Sequence, residues 1–219
     1  MASASVLVVD DHPILREGIA QLVNREADLH TVAEAGSVDE AISALATQSV
    51  DLAVVDLSLQ GRSGIELLKN MRARFPATRA VVVSMHDENL YAERALRAGA
   101  RGYVMKQEAP RKIVAALREV RAGNLYVSDG LRARLLERAV SDSTAPSSSP
   151  LSALSDRELE VLRLIGRGLK SGDIARTLNR SVNTVEAHRA NIKRKLGLAS
   201  ATELARFAFA ALEAATDAE

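Results

Sequence analysis

VLVVDDHP, residues 6–13, decides the fold. Val6, Leu7, Val8 and Val9 form an unbroken apolar run, the pattern of a strand buried on both faces. Asp10 and Asp11 follow at once, and two adjacent carboxylates at the end of a buried strand repel each other. Working outward, similar runs recur at 30–35, 51–56, 79–84 and 102–105, the first spanning 5–10. Helical patterns lie between and after them, at roughly 13–25, 38–48, 64–74, 88–98 and 109–122. Ile14, Leu15, Ile19, Leu22 and Val23 mark one face of the first at helical spacing. This alternation predicts an α/β doubly wound domain over residues 1–122, a five-stranded parallel sheet with helices on both faces.

The chain has 219 residues, 47% of them hydrophobic but only 3% aromatic and none Trp, so its cores must be aliphatic. With no Cys, disulfides, thiolate metal sites and a Cys nucleophile are excluded. The net charge of +1 decides nothing about partners, and charge has to be read locally. No run approaches the roughly 18 apolar residues of a membrane span. The opening MASAS lacks the features of a secretory leader, so a soluble cytoplasmic protein is expected.

SDSTAPSSSP, residues 141–150, has the composition of a linker. Residues 123–150 are read as that linker, with a helix at 129–140 leading into it. The remainder, 151–219, reads as a small all-α domain. Ser155 and Glu158 form a capping box ahead of a helix to about Arg167. A short helix at 171–178, a turn at Asn179-Arg180, a helix from Val182 to Leu196 stopped by Gly197, and a last helix at 201–213 complete it.

In an open parallel sheet, ligands bind beyond the carboxyl ends of the strands, where strand order reverses. Asp10 and Asp11 end the first strand, Asp56 the third and Ser84 the fourth, and Lys106 follows the fifth. Three carboxylates brought together would raise each other's pKa. A hard dication such as Mg²⁺ removes that conflict. Lys106 and Ser84 can then hold a phosphoryl group, and an Asp nucleophile can accept one. Singly, each residue has a plainer reading: Asp11 as a cap of the helix opened by His12-Pro13, Asp56 and Ser84 as turn residues, Lys106 as a solvated lysine. Caps and turns do not account for four groups at four strand ends. His12 is read as structural.

VVDDH, VVDLSLQGRSGIELL, VVVSMHDE and GARGYVMK together resemble a CheY-like receiver domain. That resemblance implies Asp56 as phosphoacceptor and Mg²⁺ held by Asp10, Asp11, Asp56 and the backbone carbonyl of Ser58. Ser84 and Tyr103 match the family's switch pair. Gln60 stands where receivers often carry Pro, with Gly61 and Gly64 keeping the loop turn-prone.

VNTVEAHRANIKRKLG, residues 182–197, carries Arg189, Lys193, Arg194 and Lys195 against one acid, Glu186. On a helix, Val182, Val185, Ile192 and Leu196 share an inward face, while Asn183, Ala187, Ala190 and Arg194 point outward. Small and amide side chains flanked by cations suit a helix laid in the major groove. Residues 154–204 closely resemble a LuxR-type DNA-binding domain. By that resemblance Val182–Leu196 is the recognition helix, with Glu186, Ala187 and Ala190 facing bases. The rest of the expected DNA-binding set is Asn183, Thr184, His188, Arg189, Lys193, Arg194 and Lys195. Lys170, Ser171 and Gly172 depart from the family's usual polar trio. His188 leans inward and reads as packed or phosphate-touching.

Both resemblances imply a two-component response regulator of the NarL/FixJ type. The expected partners are a histidine kinase as phosphoryl donor, double-stranded DNA, and a second copy of the chain when phosphorylated. The chain is not expected to be an enzyme. A phosphohydrolase of the haloacid-dehalogenase type would need an acid two residues after Asp56, where Ser58 stands. A receiver that has lost its chemistry is disfavoured by the intact Asp10, Asp11, Asp56, Ser84 and Lys106 set.

Overall fold

The computed structural model describes residues 3–59, 62–85, 88–140 and 150–216. The chain divides into two compact units, Met1–Ser141 and Asp142–Glu219.

The first unit alternates strand and helix as its apolar runs require. Its elements are β1 (Ala4–Val9), α1 (Pro13–Asn24), β2 (Leu29–Ala35), α2 (Val38–Thr47), β3 (Leu52–Val55) and α3 (Gly64–Arg74). Then follow β4 (Arg79–Ser84), α4 (Glu88–Ala98), β5 (Ala100–Met105), α5 (Ala109–Arg121) and α6 (Asp129–Val140). All neighbouring strands pair in parallel, in the order β2-β1-β3-β4-β5. The chain leaves β1 first to one side and then to the other, so the switch point lies beyond the ends of β1 and β3. On one face Val6, Val8, Val54, Val81 and Val104 pack with Ile19 and Val23 of α1 and Ile113 and Leu117 of α5. The alternate residues Leu7, Val9, Val55 and Val82 are equally buried. The strands β1, β3 and β4 are thus covered twice, which explains their missing polar alternation, while the edge strand β2 keeps His30 and Glu34 exposed.

Local chemistry sets the helix starts. Ser37 and Ser63 cap α2 and α3, accepting from the N–H groups of Glu40 and Ile65. The N-cap of α1 is His12, followed by Pro13, so Asp11 is not a cap. Gly64 does not serve a turn. A Cβ there would lie 2.0 Å from the carbonyl oxygen of Asp56, so only glycine lets α3 start this close to the end of β3. Gln60 and Gly61 lie outside the described residues.

The first unit also runs past the expected boundary at 122. Tyr126 returns to the free edge of β5: its N–H donates to Arg101 O at 3.0 Å, and its carbonyl accepts from Tyr103 N at 2.8 Å. Ser128 N then donates to Glu88 of α4 at 3.1 Å, and Val127 and Leu131 are buried. The helix expected at 129–140 is present as α6. Of the Ser/Thr/Pro stretch, residues 141–149 lie outside the described residues.

The second unit is helical throughout its described residues: α7 (Asp156–Gly166), α8 (Ser171–Thr177), α9 (Val182–Leu196) and α10 (Ala201–Thr216), with a 3₁₀ turn at Pro150–Ala153. The capping box forms in both directions, Ser155 accepting from Glu158 N and Glu158 from Ser155 N. Asn179 turns the chain between α8 and α9 with a left-handed φ of 50°, and Gly197 ends α9 at φ 67°. Leu162, Ile174, Val185, Ile192 and Leu204 are buried.

Candidate functional site

Among the described residues six polar side chains are buried, and four of them, Asp10, Asp56, Ser84 and Lys106, stand at the carboxyl ends of β1, β3, β4 and β5. The Lys106 ammonium lies 2.7 Å from Asp56 Oδ2 and 2.8 Å from Asp10 Oδ2, bridging the two strand ends across the switch point. Asp10 Oδ1 accepts from His12 N at 2.8 Å, and Asp56 Oδ1 from Ser58 N at 3.1 Å. Asp11 joins the group beside them, its Oδ1 2.8 Å from His12 Nδ1.

Burial pushes the Asp56 carboxyl above its usual range; the charge and hydrogen bond of Lys106 pull the other way, and Asp10 adds to the rise. Burial acts against the Lys106 ammonium as well, but the Asp56 charge and the hydrogen bonds to Asp10 and Asp56 outweigh it, so its pKa is raised. Three carboxylates face one ammonium, which leaves an excess of two negative charges.

One donor atom from each of Asp10, Asp11, His12 and Asp56 lies within 4.8 Å of the others. Asp10 Oδ2 and Asp11 Oδ1 are buried, the first against the Lys106 ammonium and the second against the His12 ring. Oxygen donors with two charges to spare fit a hard divalent ion. His12 therefore stands inside the acidic group rather than apart from it. The DDH spacing was the available sign, since a residue two after Asp10 can reach back to it.

Tyr103 is 2% exposed, with its side chain already inward, and its N–H is held by Tyr126. Ser84 is fully buried at the end of β4.

In the second unit, α9 presents Asn183, Glu186, Ala187, Ala190 and Arg194 to solvent. Val182, expected to face inward, is 48% exposed: it is the first residue of α9, where the chain turns outward at the Ser181 cap. Thr184 shares a hydroxyl contact with Ser181 at 2.8 Å, and Glu186 is hydrogen-bonded by Ser171. Arg189 and Lys193 are half-buried. His188 is half-buried too, and desolvation lowers its pKa. Lys195 turns inward, its ammonium 2.6 Å from Glu158, an acid only 4% exposed. The capping-box glutamate thus has a second partner, 37 positions away, which no local pattern announces.

Two family models match the chain. The response regulator receiver domain matches residues 6–118, and the bacterial regulatory proteins of the luxR family match residues 152–208. The chain belongs to the response regulators. It joins a receiver to a LuxR-type DNA-binding domain, the organisation of DNA-binding response regulators of two-component systems. The oxygen regulatory protein NreC of Staphylococcus aureus is 37% identical over 207 residues, covering 93% of this regulator and 95% of NreC. Among solved structures, the Salmonella typhimurium response regulator RcsB superposes with a TM-score of 0.67 at 28% identity, covering 96% of this chain and 98% of RcsB. RcsB of Salmonella enterica serovar Typhimurium bound to promoter P1flhDC with the phosphomimetic BeF₃⁻ gives a TM-score of 0.61 at 27% identity, over 94% and 98%. None of the described helices of this regulator is long and apolar enough to cross a membrane.

Proposed function

We propose that this response regulator is switched by a phosphoryl group on Asp56 and acts as a dimer on DNA, in the cytoplasm. The observation that carries the reading is the Lys106 ammonium held between two buried carboxylates, Asp10 and Asp56. That cation stands ready for phosphoryl oxygens and leaves the pocket two charges short of neutral. Mg²⁺, held by Asp10, Asp11, Asp56 and the Ser58 carbonyl, supplies the missing charge. The donor is a phosphohistidine of a sensor kinase. A carboxylate oxygen of Asp56 bonds to phosphorus as the P–N bond breaks, and the departing imidazole takes up a proton. Lys106 then neutralises the phosphoryl oxygens and Ser84 donates its hydroxyl to one of them.

Asp56 is the acceptor rather than the first nucleophile of a turnover cycle, because Ser58 stands where a phosphohydrolase needs its acid. On the DNA side, α9 enters the major groove with Asn183, Glu186, Ala187 and Ala190 toward base edges, and Arg194 and Lys193 toward phosphates. Lys195 is left out of that set because Glu158 occupies its charge. The RcsB–promoter complex formed with a phosphomimetic supports the coupling of the two halves. A symmetric dimer would span half-sites about one helical turn (~34 Å) apart.

The test is intact mass after incubation with acetyl phosphate and Mg²⁺, wild type beside Asp56→Asn. One phosphoryl adduct in wild type, absent in the variant and with EDTA, is expected. An adduct that survives in Asp56→Asn overturns the assignment.

A further inference from the structure

The acidic pair of the pocket sits on the turn between β1 and α1, which its own His12 N–H holds only at the Asp10 carboxylate. Each polar atom of Asp10 has a close partner. Its N–H donates to Ala35 O at 3.1 Å, and its carboxylate is engaged by His12 N at 2.8 Å and Lys106 at 2.8 Å. The remaining atom, the carbonyl oxygen, accepts from Arg16 Nη1 at 2.8 Å. Arg16 lies in the first turn of α1, with its side chain only 21% exposed. Its guanidinium pairs by charge with Glu34 of β2, Nε standing 3.4 Å from the carboxylate without an aligned hydrogen bond. An arginine thus crosses from α1 to the β2 edge above the switch point and clamps the backbone that carries Asp10 and Asp11. Among the described residues it makes no hydrogen bond or ion pair to either side chain.

We infer that Arg16, oriented by Glu34, is the positioning residue of the divalent-ion site, setting the main chain from which Asp10 and Asp11 reach the ion. The inference rests on the Mg²⁺ reading above. A groups-behind-ligands arrangement of this kind commonly governs metal affinity by about 10–100-fold. Charge and positioning make opposite predictions here. A guanidinium near a cation site repels the cation, so if charge were all that Arg16 contributed, neutralising it would tighten Mg²⁺ binding. If Arg16 positions the turn, neutralising it loosens binding. Lysine keeps the charge but lacks the planar fork that spans a carbonyl and a carboxylate at once, so it cannot replace arginine in the positioning role.

The experiment titrates Mg²⁺ into the full chain and reads half-saturation from amide NMR shifts of the pocket residues, without any phosphoryl donor. Thermal unfolding in EDTA controls for folding. Wild type must first saturate; a wild type that shows no Mg²⁺-dependent shifts defeats the underlying ion-site reading and leaves the clamp geometry standing alone. With wild type binding, Arg16→Met and Arg16→Lys are both expected to raise the half-saturating concentration by about tenfold. Either Met variant binding as tightly as wild type or tighter, or full rescue by Lys, overturns the inference. Should Arg16→Met fail to fold in EDTA, Arg16→Lys and Glu34→Gln carry the test, with weakened binding in both as the expected result and wild-type binding in both as the refuting one.

Discussion

Gly64→Ala isolates the close approach that shapes the phosphoacceptor loop. An alanine Cβ would meet Asp56 O at 2.0 Å, Leu57 Cα at 2.7 Å and Asp56 C at 2.9 Å. Unstrained contacts lie near 3.5 Å, so the start of α3 or the end of β3 has to back away by about 1.5 Å. All three obstacles are backbone, and no flexible side chain can yield. Overpacking of this kind costs about 1–3 kcal/mol, and the rigidity of the obstacle puts this case near the upper end. Alanine returns some of that through helix propensity, less than about 1 kcal/mol at a first-turn position. The expected net loss is about 2 kcal/mol, or a fall of about 1 M in the urea midpoint at ordinary m-values. The three tyrosines, Tyr91, Tyr103 and Tyr126, all lie in the first unit, so their fluorescence follows that unit alone. Gly18→Ala is the control: it sits in α1 with nothing within 4 Å of the added carbon, and is expected to stabilise by up to about 1 kcal/mol. Phosphoryl uptake should fall in Gly64→Ala and not in Gly18→Ala, because the displaced backbone carries Asp56. Gly64→Ala unfolding at the wild-type midpoint, with wild-type uptake, would refute the reasoning.

Two further outcomes concern the second unit. Glu158 is held below its usual range because, although burial acts to raise it, the Lys195 hydrogen bond and those of Ser155 pull harder. A lowered folded-state pKa stabilises above the unfolded value near 4.5, and that contribution disappears as pH falls through the folded value. Helix-monitored unfolding should therefore show a loss that sets in as pH falls through about 4.5 and grows below it, which Glu158→Gln flattens, with a penalty of about 1 kcal/mol at pH 7 because Lys195 is partly solvated. On DNA, Arg194→Ala should weaken binding across sequences and reduce the salt slope by about one, while Ala190→Leu should abolish preference for the operator and keep salt-sensitive non-specific binding. Unchanged discrimination by Ala190→Leu would move the recognition surface off this face of α9.

The elements of the first unit could be read from sequence because the inner strands β1, β3 and β4 are buried twice and each helix once, which leaves periods of different length in the apolar pattern. The convergence of Asp10, Asp56 and Lys106 was readable for the same reason: parallel strands put all carboxyl ends on one edge. What escaped has no period. Tyr126 meets β5 through backbone groups, which every residue possesses, so no side-chain pattern marks the pairing. Arg16 looks like an ordinary solvated cation, and Lys195 like one more DNA-binding cation of α9, until the residues they meet, Asp10 and Glu158, are brought to them by the fold. Gly64 was read as a turn residue because glycine serves both freedom and closeness, and the letter alone does not say which. Val182 followed the apolar stripe of α9 but stands at its first turn, where the stripe has no neighbour to cover it.

The strand-like return of residues 124–128 also bears on how the receiver can be handled in isolation. Cut at 122, where the alternation of strands and helices ends, the sheet would lose the partner of Arg101 O and Tyr103 N. A bared edge of this kind is a template for pairing with another chain. Self-association in such a fragment would then report the cut rather than phosphorylation. A fragment carried through α6 keeps its margin closed, and only there does an oligomeric state belong to the regulator itself.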